Sequence, residues 1–483
     1  MRDRAIALAL GACALAGCAS TADYEPPRLS LPGEWAADGA GRAATEIPYR
    51  WWTLFRDATL DRLVDEALAH NTDLALAAAR VDEARALLDI GEAELWPAVD
   101  ATAQRSRGRL SERTDTPLPP GTPLTSTNNR AVLNVSYEVD LFGRLRSATA
   151  AARAQLLASR AAQETVRIGI AADVARGYYG LIALDSQVAA TRRSLELRAR
   201  DLELQRIRYK AGLIGDFQLR QREAEVAAAR AQLPALERDR AAQELALAVL
   251  LGRAPRALRE DGVARAAENE AMPPDVVPEG LPSELLLRRP DLVQAEQQLV
   301  AANAQLAAAR AAFFPRIPLT GFIGGESASL SDLFTGPARI WEVGAAVVQP
   351  IFQGGRLSGE RDAASARERQ ALAQYRRAVQ SAFVEVRQAV ITQDRAREIY
   401  EAEGERMTAL ADTLRLARIR YDNGLASQLE VLDAERSLLQ AELNRIAALR
   451  DRRSAVVDLI RALGGGWPGI AAPPPATSAA SPE

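Results

Sequence analysis

Two short stretches, Arg208-Tyr209-Lys210-Ala211-Gly212-Leu213 and Arg420-Tyr421-Asp422-Asn423-Gly424-Leu425, share the pattern Arg-Tyr-x-x-Gly-Leu at an offset of 212 residues. The same offset pairs Leu251-Gly252 with Leu463-Gly464. A single register that holds across about 45 residues, glycines included, is not expected from chance similarity between alanine-rich helices. The 483-residue chain therefore contains an internal duplication.

The duplication extends upstream of the two glycine turns, at an offset of 218. There it pairs Asp73-Leu74 with Asp291-Leu292, and Trp96-Pro97 with Phe314-Pro315. An aromatic residue followed by proline ends a helix, because the residue before proline avoids the helical conformation. Each half is thus predicted to hold a helix of moderate length, a non-helical insert, and two long helices joined at the glycine turn.

Apolar residues recur every seven positions along the first long helix of each half. In the first half the series is Leu181, Val188, Leu195, Leu202 and Tyr209; in the second it is Leu372, Val379, Val386, Gln393, Tyr400, Met407, Leu414 and Tyr421, with one polar exception. Such a period predicts helices that pack at small angles as a coiled coil. At 1.5 Å per residue, the stretch 144–209 would be about 100 Å long, which favours tall helical hairpins over a compact globule.

The non-helical inserts have the alternation of β-strands. Polar and apolar residues alternate strictly over 132–141 and more weakly over 98–104, with a polar loop predicted at 105–129. The second half offers 316–323 and 341–350, with poorer alternation. About ten residues suffice for a tilted strand to cross an outer membrane, although a half-buried soluble hairpin would alternate in the same way. If these four strands cross a bilayer, at least two chains must combine to close the sheet.

The amino terminus has the features of an export signal. Arg2 and Arg4 precede an apolar stretch at 5–16, which is too short to span a membrane. The stretch ends in Leu15-Ala16-Gly17-Cys18, which resembles the bacterial lipobox and predicts cleavage before Cys18 and lipid attachment to it. Ala19 at the next position, rather than Asp, is typical of outer-membrane lipoproteins. The alternative is an ordinary signal peptide with a chance cysteine.

Composition excludes several classes of function. The net charge of −3 gives no global basic surface for nucleic acid. One histidine, His70, and two cysteines leave no set for a histidine- or cysteine-based metal centre. The chain also lacks the Gly-x-Ser-x-Gly, P-loop and dinucleotide-type glycine motifs. We therefore expect no enzyme and no cofactor.

Several motifs together resemble one family. The lipobox, the two Arg-Tyr-x-x-Gly turns, the segment 281–292 (Leu-Pro-Ser-Glu-Leu-Leu-Leu-Arg-Arg-Pro-Asp-Leu) and the ending Ala311-Ala312-Phe313-Phe314-Pro315 are similar to those of outer-membrane efflux lipoproteins in the NodT branch of the TolC-like superfamily. The resemblance covers almost the whole mature chain, and its most specific part is the Leu-Arg-Arg-Pro-Asp segment.

The resemblance implies a mainly α fold with a membrane β part. A long α-helical coiled-coil barrel would join a transmembrane β-barrel that is completed by trimerisation, with an internal two-fold repeat in each chain. The homotrimer would be a passive exit duct for small molecules such as drugs and toxic compounds. It would be lipid-anchored in the outer membrane, extend into the periplasm, and dock on a periplasmic adaptor protein and an inner-membrane pump of the resistance-nodulation-division type.

Two alternatives differ in partner or architecture. An outer-membrane duct for a type I protein-secretion system would have the same fold. A periplasmic adaptor or structural coiled-coil lipoprotein would have one helical hairpin flanked by lipoyl-like and β-barrel segments, whereas this chain is predicted to have two hairpins and two strand pairs.

The resemblance also implies roles for residues at the helix tips. Leu429, Glu430 and Asp433 match positions that narrow the periplasmic aperture, although the family more often has Asp where Glu430 stands, and both carboxylates could instead be ordinary solvated charges. The predicted tip turns and inter-helix latch comprise Arg208, Tyr209, Gly212, Arg420, Tyr421 and Gly424, with partners for Arg420 and Tyr421 expected from the first half. Gln218 aligns with Glu430, so no acidic acceptor exists at that position.

These interpretations divide the chain into consecutive segments. They are the lipoprotein signal peptide 1–17, an N-terminal and equatorial segment 18–72, helix 73–96, β-hairpin 97–142, helical hairpin 143–252, equatorial segment 253–290, helix 291–314, β-hairpin 315–355, helical hairpin 356–463 and the C-terminal tail 464–483.

The lipobox interpretation predicts the outcome of one substitution. Cys18→Ser removes the only thiol that the processed chain would keep, so incorporation of radiolabelled palmitate into the protein should stop. Cys13→Ser, inside the apolar stretch, should leave the label unchanged. Label that persists in Cys18→Ser would contradict the interpretation.

Overall fold

The computed structural model describes residues 24–27, 47–111, 113, 119, 121–254, 256, 262–265, 272–274 and 289–469. Cys18, the predicted signal peptide, most of the segment 253–290 and the end of the C-terminal tail lie outside these residues. The helices are α1 (Ala58–His70), α2 (Thr72–Ala93), α3 (Arg144–Lys210), α4 (Asp216–Leu250), α5 (Pro290–Ala311), α6 (Arg356–Asp422) and α7 (Gln428–Ala462). The strands are β1 (Ala98–Arg109), β2 (Thr125–Val139), β3 (Ile317–Ser327) and β4 (Arg339–Ala345).

The chain forms two compact units. Among the described residues, the strand unit is drawn from 24–27, 80–159 and 294–375, and the helical unit from 47–79, 160–293 and 376–469. Helices α2, α3, α5 and α6 contribute residues to both units. None of the helices within the described ranges is both long and apolar enough to cross a membrane.

The strand unit contains one antiparallel sheet with the order β1-β2-β3-β4. Strands β1 and β2 pair from Ala98 opposite Ser136 to Arg109 opposite Thr125. They are longer than the alternation predicted, and the loop predicted at 105–129 is wrong at both ends. The added pairs, such as Arg105 with Asn129, are polar on both sides. Backbone hydrogen bonds pair such residues whatever their side chains, so alternation underestimates the strand.

The second strand pair also departs from the predicted limits. Strands β3 and β4 occupy Ile317–Ser327 and Arg339–Ala345 instead of 316–323 and 341–350. Glycines at 321, 324 and 325 interrupt the polar–apolar pattern in β3. At Gly324 a Cβ atom would lie 2.1 Å from the carbonyl oxygen of Ala131 on the neighbouring strand, so the close approach of the two backbones requires glycine.

Small side chains and one aromatic stack hold the helices of the strand unit. Val81, Ala84 and Leu88 of α2 form a buried cluster with Leu156 of α3. The Phe142 and Phe314 rings stack with their centroids 4.9 Å apart. Phe314 belongs to the aromatic–proline pair that the sequence marked as the end of a helix, and its ring therefore also packs against the residues that lead from β2 into α3.

The helical unit has a continuous apolar core. Its largest fully buried side chains are Trp51, Trp52, Leu60, Tyr178, Leu181, Leu247, Leu251, Leu292, Leu432 and Leu459. Asp57 caps α1 by accepting hydrogen bonds from the Thr59 and Leu60 amides at 2.9 and 3.1 Å, and it also accepts one from the Tyr178 hydroxyl at 2.9 Å. This single buried carboxylate joins a helix terminus to the middle of α3.

The seven-residue series lies on buried helix faces. Leu181, Val188 and Leu202 are at most 6% exposed in α3, and Val379 and Val386 are at most 4% exposed in α6. The small residues that accompany the series, such as Ala382, are buried as well. Burial at a seven-residue period is the packing expected of nearly aligned helices.

Arg289, the last arginine of the Leu-Arg-Arg-Pro-Asp segment, joins three helices. Its side chain is 7% exposed and donates to the Asp291 carboxylate at 2.8 Å and the Glu385 carboxylate at 2.7 Å. It also donates to the carbonyl oxygen of Ala462 at 2.9 Å. The ion pairs and the hydrogen bond together connect the start of α5, the middle of α6 and the end of α7.

Arg289→Gln should destabilise the helical unit. The substitution leaves two carboxylates and a helix-terminal carbonyl without a cation, and hydrogen bonds to charged groups contribute about 1.5–3 kcal/mol each in favourable cases. We expect a lower melting temperature for the purified protein by scanning calorimetry. Arg356→Gln is the control, because the Arg356 pair with Glu360 is solvent-exposed and of little energetic value. Equal melting temperatures for both variants would contradict this role.

Candidate functional site at the helix tips

The two tips of the helical unit end in the same backbone motif. Gly212 and Gly424 have φ values of 70° and 68°, the left-handed conformation that favours glycine. The amide of Leu213 donates to the Arg208 carbonyl at 2.9 Å, and that of Leu425 donates to the Arg420 carbonyl at 2.8 Å. This six-to-one bond terminates a helix in the Schellman motif. The Arg-Tyr-x-x-Gly-Leu repeat is therefore a repeated helix stop.

The return helices also begin alike, but with one difference in charge. The Gln218 side-chain oxygen accepts from the Gly215 amide at 2.7 Å, and a Glu430 carboxylate oxygen accepts from the Ser427 amide at 3.1 Å. In both helices the side chain of the third helical residue thus caps the backbone amide that precedes the helix, which is one of the two hydrogen bonds of a capping box. Glu430 thus has a structural role as a cap in addition to the aperture role that the resemblance implies, and Gln218 shows that a neutral amide fills the same role.

The predicted aperture residues are solvent-exposed in the single chain. Leu429 is 56% exposed, and Glu430 and Asp433 are exposed as well. Leu213, Phe217 and Leu425 are apolar and more than 70% exposed. These four large apolar side chains lie in the two tips or within the first turn of the returning helix, a concentration that is typical of an interaction surface.

Of the two residues predicted to latch the helices, Tyr421 contacts the first half and Arg420 does not, and the latch itself remains a prediction. Tyr421 does meet the first half, because its hydroxyl lies 3.5 Å from the Arg208 guanidinium. Arg420 does not: it lies 3.8 Å from the Glu430 carboxylate and donates to the Leu425 carbonyl at 3.3 Å, both in its own hairpin. The first half offers only Gln218 at the position that aligns with Glu430, so the nearest carboxylate is the local one. Tyr209 is 41% exposed.

A buried ion pair between the two hairpins is centred on Glu225, which sequence analysis missed. The Glu225 side chain is 6% exposed and pairs with Arg198 of its own hairpin at 2.8 Å. Its second oxygen pairs with Arg436 of the other hairpin. The hydrogen bond from Arg436 holds the pKa of Glu225 below its ordinary value, and the same bond raises the pKa of Arg436.

A second network lies close to the first in sequence. The Arg222 side chain is 8% exposed and lies 3.1 Å from the Asp201 carboxylate of α3 and 3.8 Å from the Glu435 carboxylate of α7. Glu435 also accepts from Arg418 of α6 at 3.0 Å. We call Glu225, Arg198, Arg436, Arg222, Asp201, Glu435 and Arg418 the tip network.

A signal for the tip network was present in the sequence. Leu219, Val226 and Ala229 mark the buried face of α4, and Arg222 and Glu225 fall on that same face. Charged residues at core positions of a helix predict buried ion pairs. The sequence interpretation treated the carboxylates on the helices as parts of solvated ion pairs. The repeat did not mark Glu225 as a special position either, because Glu225 aligns with Ser437 in the other half.

No cluster of three or more histidine, cysteine or carboxylate side chains with metal-binding geometry occurs within the described portion of the chain. The arginines and carboxylates of the tips instead neutralise one another across the two hairpins. The ion pairs between the two hairpins therefore form a contact whose strength depends on the charges of the side chains in it.

The family model for outer membrane efflux proteins matches two stretches, residues 63–253 and 281–465, which are the two halves of the repeat. The chain belongs to the outer membrane efflux protein family. This outer membrane efflux protein is 36% identical over 468 residues to the outer membrane protein OprJ of Pseudomonas aeruginosa, with 96% of this chain and 95% of OprJ covered. It is 32% identical over 458 residues to the probable outer membrane lipoprotein SilC of Salmonella typhimurium, with 94% and 96% covered.

A solved structure agrees with the sequence relatives. The CmeC outer membrane channel of Campylobacter jejuni superposes with a TM-score of 0.87 at 25% identity, and the match covers 93% of this chain and 95% of CmeC. The TolC-like, mainly helical fold class, the outer-membrane location and the efflux role expected from the resemblance are therefore confirmed. The roles of individual tip residues remain predictions.

Glu225→Gln should loosen the tips of this efflux protein. Loss of the carboxylate leaves Arg198 and Arg436 without their buried partner, at a cost of about 1.5–3 kcal/mol. Amide hydrogen exchange over 216–229, followed by mass spectrometry, should accelerate by about tenfold or more. Glu223→Gln is the matched control, since Glu223 pairs with Arg220 on its own helix and is more exposed.

Acidification provides an independent check of the same pair. Because the pKa of Glu225 is lowered in the folded protein, its stabilisation is fully present above the ordinary value of 4.5 and is lost as the pH falls through the lowered value. Spin labels at Leu213→Cys and Leu425→Cys should report a broader distance distribution over that acidic range. The Glu225→Gln protein should be broad already at neutral pH, and a narrow distribution there would refute the assignment.

Proposed function

We propose that three copies of this chain form the outer-membrane duct of a tripartite efflux system. The duct is passive and has no catalytic activity of its own. The observation that carries the proposal is the match of both repeat halves to the outer membrane efflux protein family, over a chain whose open four-stranded sheet is incomplete by itself.

The sheet supports the trimer. Strands β1 and β4 are its edges, and each has a row of backbone groups with no partner strand in the described part of the same chain. Inside a bilayer such groups must be paired by another strand, because no water is there to pair them. Three chains with four strands each would close a twelve-stranded barrel, within the size range of transmembrane barrels.

The exposed tips support docking on a periplasmic adaptor. Leu213, Phe217 and Leu425 offer apolar area at the two turns, and the neighbouring charges in α4 and α7 frame it. An adaptor that covers these residues would connect the duct to an inner-membrane pump, which supplies the energy. The family description names efflux, which favours this system over the type I protein-secretion alternative.

The lipid anchor at Cys18 is part of the proposal. A lipidated amino terminus is supported by the lipobox and by the name of SilC, a relative described as a probable outer membrane lipoprotein. The anchor would hold each protomer in the inner leaflet of the outer membrane while the three sheets associate.

We place the periplasmic aperture at Leu429, Glu430 and Asp433. In a trimer, three copies of each carboxylate would surround the axis. These negative charges would repel one another and would attract cations. Repulsion alone would open the ring, so the closed state needs contacts that hold the hairpins together. Three sets of contacts are suited to that role: Arg208 with Tyr421, Arg420 with Glu430, and the tip network. Gly212 and Gly424 form the turns at the ends of the two tips.

The double variant Glu430→Gln, Asp433→Asn tests the aperture. It removes both carboxylate charges from every protomer, while the amide introduced at position 430 keeps the helix cap, as Gln218 does in the other hairpin. We expect higher single-channel conductance and a weaker cation preference in planar lipid bilayers. Asp451→Asn, an exposed charge on the same helix, should behave like the wild type. Unchanged conductance and selectivity in the double variant would remove these two residues from the aperture.

A further inference from the structure

A cavity of about 310 Å³ lies in the helical unit between α3, α6 and α7. This volume is at the lower end of the range for small-molecule sites. Much of its wall is apolar, formed by Ile182, Ala183, Met407, Ile446 and Leu449. Two tyrosines, Tyr179 and Tyr400, add aromatic surface. The cavity is distinct from the aperture and from the tip network.

Arg445 brings a cation to the wall of this cavity. Its Nη2 atom donates to the Tyr400 hydroxyl at 3.3 Å. Its Nε atom has no accessible surface, so a ligand in the cavity cannot reach it. An anionic group bound in the cavity would instead face the terminal nitrogens of the guanidinium.

Arg453 lies two helical turns further along the same helix and also lines the cavity. It is 4% exposed, and its guanidinium carbon lies 4.8 Å from the centroid of the Tyr179 ring. Burial lowers the pKa of Arg453, with the neighbouring Tyr179 and Asp57 partly opposing that effect. The charged form is thus poorly solvated, and an added negative charge would stabilise it.

Most of the acidic side chains around the cavity are engaged elsewhere. Among the described residues that line it, Glu442 is the one carboxylate, and it accepts from Arg193 at 2.6 Å. Glu403 of α6 does not line the cavity; one of its oxygens accepts from Arg406 at 3.3 Å, and the other is buried with no hydrogen-bond partner among the described residues. Asp57, which faces Arg453, caps α1 and binds the Tyr178 hydroxyl. The net charge of the lining residues is positive.

The repeat shows that the two cations are not required by the helix packing. At the offset of 212, Arg445 aligns with Leu233 and Arg453 aligns with Ala241, so the first half builds the same helix with apolar residues. By contrast, Arg450 aligns with Arg238, and each of these two pairs with the aspartate that follows it. Arg445 and Arg453 are therefore a feature of the second half alone.

We propose that this cavity binds a small organic anion with an apolar body, such as an aromatic carboxylate or sulfonate. The anionic group lies against Arg445 and is attracted by Arg453, and the apolar body packs against Met407, Ile446 and Leu449. The apolar walls favour an organic anion over inorganic sulfate. Because the cavity lies between a helix of the first hairpin and two helices of the second, the bound ligand stabilises their association.

The test is isothermal titration calorimetry of the full-length trimer in a neutral maltoside detergent, with 2-naphthalenesulfonate as the probe. We expect one site per chain. Arg445→Gln should raise the Kd by at least about tenfold, the loss expected for a charge-assisted hydrogen bond. Met407→Trp, which fills the cavity, should abolish binding. Arg450→Gln, which alters a lining arginine already paired with Asp451, should leave the Kd within about twofold of wild type.

The controls separate the site from general hydrophobic binding. Gel filtration of each variant establishes that the trimer is intact, so that Met407→Trp tests the site even if Arg445→Gln fails to assemble. The neutral analogue 2-naphthalenemethanol and sodium sulfate should each bind at least about tenfold more weakly than the probe. The proposal is overturned by absence of binding to the wild type, by equal affinity of Arg445→Gln or Met407→Trp, or by equal affinity for the neutral analogue.

Discussion

A strand at the edge of a sheet leaves a row of backbone N–H and C=O groups unpaired, and the hydrocarbon region of a membrane contains no water to pair them. Each chain of this efflux protein presents two such edges, β1 and β4. Strands β1, β2 and β3, with 12, 15 and 11 residues, have the length to cross a membrane, but one chain cannot satisfy its own backbone there. Membrane insertion and oligomer formation are therefore one requirement, and the trimer that we propose meets it.

In the duct that we propose, the tips of the helical unit have a different requirement, because the two hairpins would have to associate and also separate. An apolar contact would be hard to reopen, because separation would expose its whole surface to water. Here the hairpins meet through Glu225, Arg222, Arg436 and their partners. Buried ion pairs contribute little net stability, but they are strongly destabilised when one partner is lost. Such a contact responds sharply to a local change in charge or position, which suits a regulated aperture.

The duplication explains which parts of the molecule are shared by both halves and which are particular to one. The Schellman turns at Gly212 and Gly424, the side-chain caps at Gln218 and Glu430 and the seven-residue series recur because each hairpin needs a stop, a start and a buried seam. Two charged positions do not recur: Glu225, which links the hairpins, aligns with Ser437, and Arg445, at the cavity, aligns with Leu233. Differences between the halves therefore mark the positions where the two hairpins meet each other or line a cavity.

The sequence by itself determined the repeat, the helices with their glycine stops, the presence of two strand pairs and, through resemblance, the family. These features depend on periodicity and on the conformational limits of glycine and proline, which act between neighbours in the chain. The predicted strands of the first pair were too short, because backbone pairing between β1 and β2 continues through polar residues that show no alternation. Only the tertiary structure decided that Arg420 pairs within its own hairpin while Glu225 links the two hairpins. Which of many similar charges pair with each other depends on which helix faces approach each other. The local sequence pattern of a helix does not encode the distance to the neighbouring helix.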